Sequence, residues 1–265
     1  MQATADNSSA LPRQLGFWAL WLLVVNGLVG AGIFAVPASA ARLAGDYSLW
    51  LYPLCALLIL PIMLVVAELA SRFQGSGGPA LYASAAFGQA AGFQAGWLYY
   101  LARLVSVAAN ANLLLLSLAY FWPALGQGPA RLLTLSVLFG VFGALNARAT
   151  GSAMRSLGLL TLLKFAILVL FVLLAGGWAL WQQLPAPAVS QQPLQLGSAV
   201  LLLIYAFVGF ESALIPAGEA KNPRRHLPLA LLSGLLLVTL LYLTIQWVCL
   251  QYLPTDSQSQ TPLLD

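Results

Sequence analysis

The chain has 265 residues, of which 61% are hydrophobic and 7% charged, and its mean hydropathy is +0.88. Soluble domains carry about 25% charged residues, so this composition excludes a soluble protein and predicts a polytopic membrane protein. The formal net charge of +4 matches the lysine and arginine excess of cytoplasmic loops, and no nucleic-acid partner is predicted from it.

Seven apolar segments follow one another along the chain, separated by turn signals rich in Gly, Pro and Asn. Backbone polar groups in lipid must be satisfied within the chain, so apolar segments of about 20 residues are predicted to be helices. The segments are predicted at residues 16–41, 48–72, 86–121, 129–147, 155–181, 196–219 and 227–251. Residues 1–15 are predicted to form a cytoplasmic tail and residues 252–265 a polar tail.

Basic residues indicate which ends of these segments face the cytoplasm. With the N-terminus inside, seven lysines and arginines fall in the inner loops and two in the outer loops, which is the bias of inner loops in membrane proteins. The inner ones are Arg13, Arg72, Arg148, Arg155, Lys221, Arg224 and Arg225, and the outer ones are Arg42 and Arg131. The N-terminus is therefore predicted to be cytoplasmic.

The first and sixth segments contain the same kind of interruption. Residues 29–37 read VGAGIFAVP and residues 208–216 read VGFESALIP, so each stretch begins Val-Gly and reaches a proline seven positions after its glycine. Glycine and proline interruptions at matching places in two halves of a membrane protein indicate the substrate site of a secondary transporter. An unwound helix offers N–H groups to a carboxylate and carbonyls to an ammonium, so this pair predicts a zwitterionic ligand. The alternative is close helix packing through small residues.

Three stretches resemble one transporter family. GLVGAGIF at 27–34 is similar to the first helix of the amino acid–polyamine–organocation transporters, and AELASRFQGSGGPALYASAAFG at 67–88 to the loop after their second helix. YAFVGFESALIPAGEAKNPRRHLP at 205–228 resembles their sixth helix and the loop after it. The resemblance implies an all-α fold with five-plus-five inverted repeats and broken helices 1 and 6. The first repeat would cover 16–181 and a partial second repeat 196–251, so we expect a fragment or a truncated product.

The resemblance also implies roles for individual residues. The backbone of the first helix would hold the carboxylate of the substrate, at Leu28, Gly30, Ala31 and Gly32. Carbonyls of the sixth helix would hold its amino group, at Tyr205, Ala206 and Val208, with Gly209 as the hinge. Glu211 matches an acidic position tied to gating or proton coupling in some members.

Lys164 lies inside the fifth apolar segment. A charged group near the bilayer core is costly, so it is expected to face the helix bundle and to have a partner there. The resemblance places Lys164 where sodium-dependent members bind a cation, so its ammonium would replace the sodium ion. It would bond carbonyls of residues 27–30 and take part in coupling, as a proton carrier. The alternative is a lysine that reaches the inner headgroups.

Other polar groups are predicted to be structural. Glu68 and Arg72 have the i,i+4 spacing of a helix ion pair, and Asn110 and Asn112 are expected to make interhelical hydrogen bonds. His226 is the only histidine of the chain, and it lies in a basic loop. We predict a surface residue there and no metal site.

Together these patterns predict a secondary active transporter of amino acids that works by alternating access, as a multi-pass protein of a bacterial-type inner membrane. Lys164 disfavours sodium coupling, which leaves proton symport or substrate exchange. Two alternatives stay open: a cationic amino acid or polyamine antiporter, and a truncated, non-transporting remnant. No acid, base and nucleophile converge, so no enzyme and no cofactor are predicted. The expected partners are an amino acid or amine, the lipid bilayer and protons.

Overall fold

The computed structural model describes residues 15–73, 75, 77–148, 153–182 and 194–252. The predicted tails lie outside these residues except for Leu15 and Tyr252, and so do residues 183–193. The described chain is helical, and its only extended pairing is a parallel bridge between Leu15 and Ala220. The prediction of an all-α fold is confirmed.

Ten α-helices lie in the described residues, and short 3-10 turns join several of them. Their bounds are α1 Phe17–Leu28, α2 Val36–Ala44, α3 Ser48–Arg72, α4 Pro79–Phe87, α5 Gln89–Phe121, α6 Gly128–Arg148, α7 Ala153–Phe171, α8 Gly177–Trp181, α9 Leu196–Ala206 and α10 Pro223–Tyr252. A π-helical turn, Val172–Gly176, joins α7 directly to α8. Such turns lengthen one helical repeat and free backbone groups for other partners.

Five helical segments within the described residues are long and apolar enough to cross a membrane. They are Val36–Arg72, Gln89–Phe121, Gly158–Trp181, Leu196–Glu219 and Pro223–Tyr252. Two shorter apolar helices, Phe17–Leu28 and Gly128–Ala144, coincide with the remaining predicted segments. The chain is therefore a polytopic membrane protein, and its first segment is divided between α1 and the beginning of Val36–Arg72.

The chain divides into two compact units, each assembled from separate stretches of sequence. The first unit contains the residues up to Gly30, Pro53–Leu101 and Ile204–Leu240. The second unit contains Ala31–Tyr52, Ala102–Leu203 and the residues from Leu241 onward.

In the first unit, α1 packs against α10 and against the segment that follows α9. A Cβ atom placed on Gly234 of α10 would lie 2.8 Å from Cγ1 of Val24, so only a glycine permits this approach of α10 to α1. Just before α1, the N–H of Leu15 donates to the carbonyl of Glu219 at 2.9 Å, and the N–H of Lys221 donates back to the carbonyl of Leu15 at 2.9 Å. These contacts hold α1 at its beginning and along its length.

In the second unit, hydrogen bonds join the ends of helices that are far apart in sequence. The N–H of Gln195 donates to the carbonyl of Leu43 at 2.8 Å, at the end of α2. The hydroxyl of Tyr252 donates at 2.7 Å to the carbonyl of Ala175, inside the π-helical turn. Polar groups inside apolar segments are thereby paired within the protein, as a membrane environment requires.

Candidate functional site

The first interruption (residues 29–35) separates α1 from α2. The last helical bond of α1 is donated by the N–H of Val29 to the carbonyl of Val25 at 3.0 Å, and the N–H of Gly30 then turns back to the carbonyl of Leu28 at 3.1 Å. A 3-10 turn, Ala31–Phe34, follows, and α2 starts at Val36 with a proline in its first turn. Proline suits this position because the first N–H groups of a helix have no partner within it. The predicted break in the first segment is confirmed.

Unoccupied space adjoins the first interruption. Among the described residues, a Cβ atom placed on Gly30 would have no atom within 4 Å, and one placed on Gly32 would meet only Cγ2 of Val36, at 3.7 Å. The beginning of a helical turn carries partial positive charge and N–H donors. A small anionic group can therefore approach this backbone without displacing a side chain.

The second interruption (residues 207–215) follows α9. The N–H of Val208 donates to the carbonyl of Tyr205 at 3.2 Å, which closes the last turn. Gly209 then has a φ of 129°, a backbone conformation that residues with a side chain rarely adopt. A 3-10 turn, Phe210–Ala213, continues the segment in place of an α-helix. The predicted break in the sixth segment is also confirmed, and Gly209 is the residue at which the α-helical geometry ends.

The last turn of α1, just before the first interruption, meets the second interruption backbone to backbone in the first unit. A Cβ atom placed on Gly27 would overlap the carbonyl oxygen of Gly209 and would lie 2.7 Å from Oγ of Ser212. A Cβ atom placed on Gly209 would in turn overlap the carbonyl oxygen of Gly27. Two glycines are therefore required at this crossing. Gly209 was predicted as a hinge, but Gly27 was not predicted as its counterpart. The only signal for Gly27 in the sequence was that it is a glycine ahead of the first interruption.

Polar side chains fix the geometry of the second interruption. Oε2 of Glu211 accepts a hydrogen bond from the N–H of Gly209 at 2.8 Å. Oγ of Ser212 donates to the carbonyl of Gly209 at 2.7 Å. Glu211 is half-buried, and its carboxyl group lies beside the crossing of α1 and the second interruption. An ammonium group of a ligand would be attracted there.

The predicted site residues fall into both compact units. The first unit holds Leu28, Gly30, Tyr205, Ala206, Val208, Gly209 and Glu211, and the second unit holds Ala31, Gly32 and Lys164. Leu28 and Ala206 are buried, whereas the side chains of Tyr205 and Val208 are 58% and 44% exposed. The structure brings Gly209 and Glu211 to the end of α1. The assignment of these residues to substrate binding stays a prediction.

Lys164 lies on the protein-facing side of α7. Its neighbours at i−3 and i+4, Thr161 and Leu168, are buried, while Leu162 and Leu163 are 61% and 55% exposed. Lys164 itself is half-buried. Residues spaced by three and four share one face of a helix, so Lys164 lies on the protein-facing side of α7, which we call its inner stripe. This placement favours a bundle-facing lysine over one that reaches the headgroups, and its bond to residues 27–30 stays a prediction.

The remaining polar predictions have mixed outcomes. Glu68 and Arg72 form the expected ion pair, and Oδ1 of Asn112 on α5 accepts a hydrogen bond from Arg131 on α6 at 2.6 Å. The prediction of a surface residue at His226 is wrong. Its ring is half-buried and lies 6.3 Å, edge to face, from the ring of Phe17, because the first turn of α10 packs against the start of α1. Among the described residues no group of three His, Cys, Asp or Glu side chains could hold a metal ion.

Comparison with known proteins gives a family and three relatives. A family model described as amino acid permease matches residues 15–262. The chain is 33% identical over 249 residues to an L-methionine/branched-chain amino acid exporter of Escherichia coli K12, covering 91% of this chain and 56% of the relative. It is 26% identical over 257 residues to a serine/threonine exchanger of Bacillus subtilis 168, covering 96% and 58%. It is 28% identical over 240 residues to a cadaverine/lysine antiporter of E. coli K12, covering 87% and 52%. The chain spans a little over half the length of these relatives.

Proposed function

The chain belongs to the amino acid permease family, and from this membership we propose that it acts in the secondary transport of amino acids by alternating access. The observation that carries the proposal is the backbone crossing of the end of α1 and the second interruption at Gly27 and Gly209, next to the first interruption. Interrupted helices at membrane depth need a cavity or a ligand to satisfy their backbone groups. The relatives described above are an exporter, an exchanger and an antiporter, which favours transport over catalysis.

The substrate would be held at both of its ends. The N–H groups at the start of the Ala31–Phe34 turn would bind the carboxylate, and Gly30 would contribute space, since its own N–H donates to Leu28. Leu28 and Gly32 complete that part of the site. Carbonyls of Tyr205, Ala206 and Val208 would bind the amino group, next to the hinge at Gly209. These assignments follow from the general use of half-helix ends by transporters.

We propose a neutral amino acid as the substrate class. Glu211 is the acidic residue of the second interruption, and one of its oxygens is engaged by the N–H of Gly209. A cationic side chain would have to share this carboxylate with the N–H of Gly209. The relative of 33% identity exports methionine and branched-chain amino acids. The alternative is a cationic amino acid or polyamine antiporter, as one relative exchanges cadaverine and lysine.

The coupling and the orientation are part of the same proposal. Transport would be independent of sodium, driven by protons or by exchange, with Lys164 and Glu211 as coupling or gating groups. The half-buried position of Lys164 on the inner stripe of α7 supports this role. The N-terminus would be cytoplasmic and the membrane a bacterial inner membrane, which the excess of basic residues in the predicted inner loops supports.

The test is binding and exchange of labelled L-methionine by the purified protein. We expect saturable binding in detergent and counterflow in proteoliposomes, with competition by L-leucine and little competition by L-lysine or cadaverine. Strong competition by L-lysine would instead support the antiporter alternative. A correctly folded protein that binds none of these compounds would support the non-transporting remnant.

A further inference from the structure

We propose that Gln246 is a positioning residue, whose side-chain amide holds α2 in the place where the first interruption can bind a substrate carboxylate. The residue belongs to α10 and has no place in the substrate site derived above. The proposal rests on the proposed function, because it assigns Gln246 the role of holding in position the residues of that site.

Gln246 is completely buried and joins three partners in the second unit. Its Nε2 donates to the carbonyl of Pro37 at 3.2 Å and to Oγ of Ser48 at 2.8 Å. Its Oε1 accepts a hydrogen bond from the hydroxyl of Tyr52 at 3.2 Å. We call Pro37, Ser48, Tyr52 and Gln246 the Gln246 network. An amide with two N–H donors and an acceptor oxygen suits this set of partners.

The Gln246 network acts on the beginning of two helices at once. Pro37 is the second residue of α2, and Ser48 and Tyr52 lie one turn apart at the beginning of α3. Hydrogen bonds that converge on one rigid amide fix the direction as well as the distance of their partners. The ring of Tyr52 is itself held edge to face against Tyr242, with 5.9 Å between the ring centroids. The start of α2 is thus fixed to α3 and α10.

The other end of α2 is also held, so that the helix has little freedom to shift. The carbonyl of Leu43 accepts the N–H of Gln195 at 2.8 Å. Four residues lie between Gly32 and Pro37, and the proposed carboxylate donors, at the start of the Ala31–Phe34 turn, come directly before that short stretch. A donor group contributes to binding only where it already points at the ligand. Release of the first turn of α2 would therefore displace the donors.

Packing alone does not account for a glutamine at this position. A buried amide is costly in an apolar environment unless it is hydrogen-bonded, and a leucine of similar size would fill the space without that cost. What the amide adds is directional bonding to the carbonyl of Pro37. Such buried polar networks specify one arrangement of the elements that they join.

The experiment compares Gln246→Leu with Gln251→Leu, a glutamine that lies on α10 outside the Gln246 network. Backbone hydrogen exchange of residues 36–44 is measured by mass spectrometry, and L-methionine affinity is measured on the same preparations. We expect Gln246→Leu to speed exchange in α2 and to weaken binding roughly tenfold, the effect of one or two lost hydrogen bonds. Gln251→Leu should leave both quantities unchanged.

Tyr52→Phe removes one bond of the Gln246 network and keeps the protein testable where Gln246→Leu does not fold. It should change exchange and affinity in the same direction by less. Unchanged exchange in α2, or faster exchange with wild-type affinity, overturns the positioning role. A wild-type protein that binds no amino acid refutes the proposed function and the positioning role with it, whereas intact wild-type binding with unaffected variants refutes the positioning role alone.

Discussion

Gly27 and Gly30 are three residues apart, yet a side chain would have opposite consequences at the two positions. A methyl group on Gly27 would overlap the carbonyl oxygen of Gly209 and press on Oγ of Ser212, whereas one on Gly30 would meet open space. We expect Gly27→Ala to lower stability by about 1–3 kcal/mol, as overpacking does. The midpoint of thermal unfolding in detergent measures this, with Gly30→Ala as the matched control that should unfold like the wild type. Equal midpoints for the two variants would contradict a tight crossing at Gly27.

A larger residue at Gly30 tests the carboxylate site in the same place. A Cβ atom on Gly30 meets no atom of the described residues within 4 Å, and the unfolding midpoint of Gly30→Leu shows whether the longer side chain is also accommodated. If the substrate carboxylate uses that space, L-methionine affinity should fall by about 10- to 100-fold, the equivalent of one lost charged hydrogen bond. Unaltered affinity in a stable Gly30→Leu protein would remove the first interruption from the substrate site.

The residues that the sequence predicted differ in kind from those it missed. Gly30, Gly209 and the flanking prolines belong to a local pattern, because helix interruption is encoded by neighbouring residues. The roles of Gly27 and Gln246 depend on partners that come close only after folding. The carbonyl of Pro37 lies 209 residues from Gln246 along the chain. A glutamine within an apolar segment is visible in the sequence, but its burial and its hydrogen-bond partners are not.

At the level of elements, two backbone hydrogen bonds join Leu15, just before α1, to residues 219–221, after the second interruption. We call this pair of hydrogen bonds the strap. Leu15→Pro removes the N–H that donates to Glu219, and it should lower stability by about 1 kcal/mol, the usual value of one hydrogen bond. Gly16→Pro is the matched control, because the φ of Gly16 is −82° and suits proline. Faster hydrogen exchange of residues 219–221 in Leu15→Pro, with wild-type exchange in Gly16→Pro, would confirm the strap. The same exchange rates in both variants would contradict it.

Prediction at the element scale succeeded where apolar length decided the outcome. Long apolar stretches must be helical in lipid, and the five long apolar helical segments of the described residues overlap predicted segments. The π-helical turn Val172–Gly176 was not predicted. Its extra residue places the carbonyl of Ala175 against the hydroxyl of Tyr252, a contact between segments that no local propensity encodes.

At the scale of the whole molecule, composition alone identified a membrane protein, because a chain with so few charged residues cannot form the polar surface of a soluble protein. The grouping into two compact units could not be predicted from the sequence. Each unit combines stretches from both ends of the chain, and such long-range contacts leave no periodic pattern. The predicted division into repeats at 16–181 and 196–251 describes the order of segments along the chain, and it stays a prediction.

The ionic dependence of transport is a property of the whole molecule that one residue should control. Lys164 lies on the protein-facing side of α7. A fixed ammonium group in a site of low polarity repels a second cation strongly. Counterflow of L-methionine should therefore keep its wild-type rate when choline replaces sodium. Lys164→Ala should reduce counterflow sharply while membrane insertion is retained, whereas Lys221→Ala, which removes a charge from an exposed loop, should transport normally. A steep sodium dependence of the wild-type protein would contradict the assignment of Lys164 as the substitute for a bound cation.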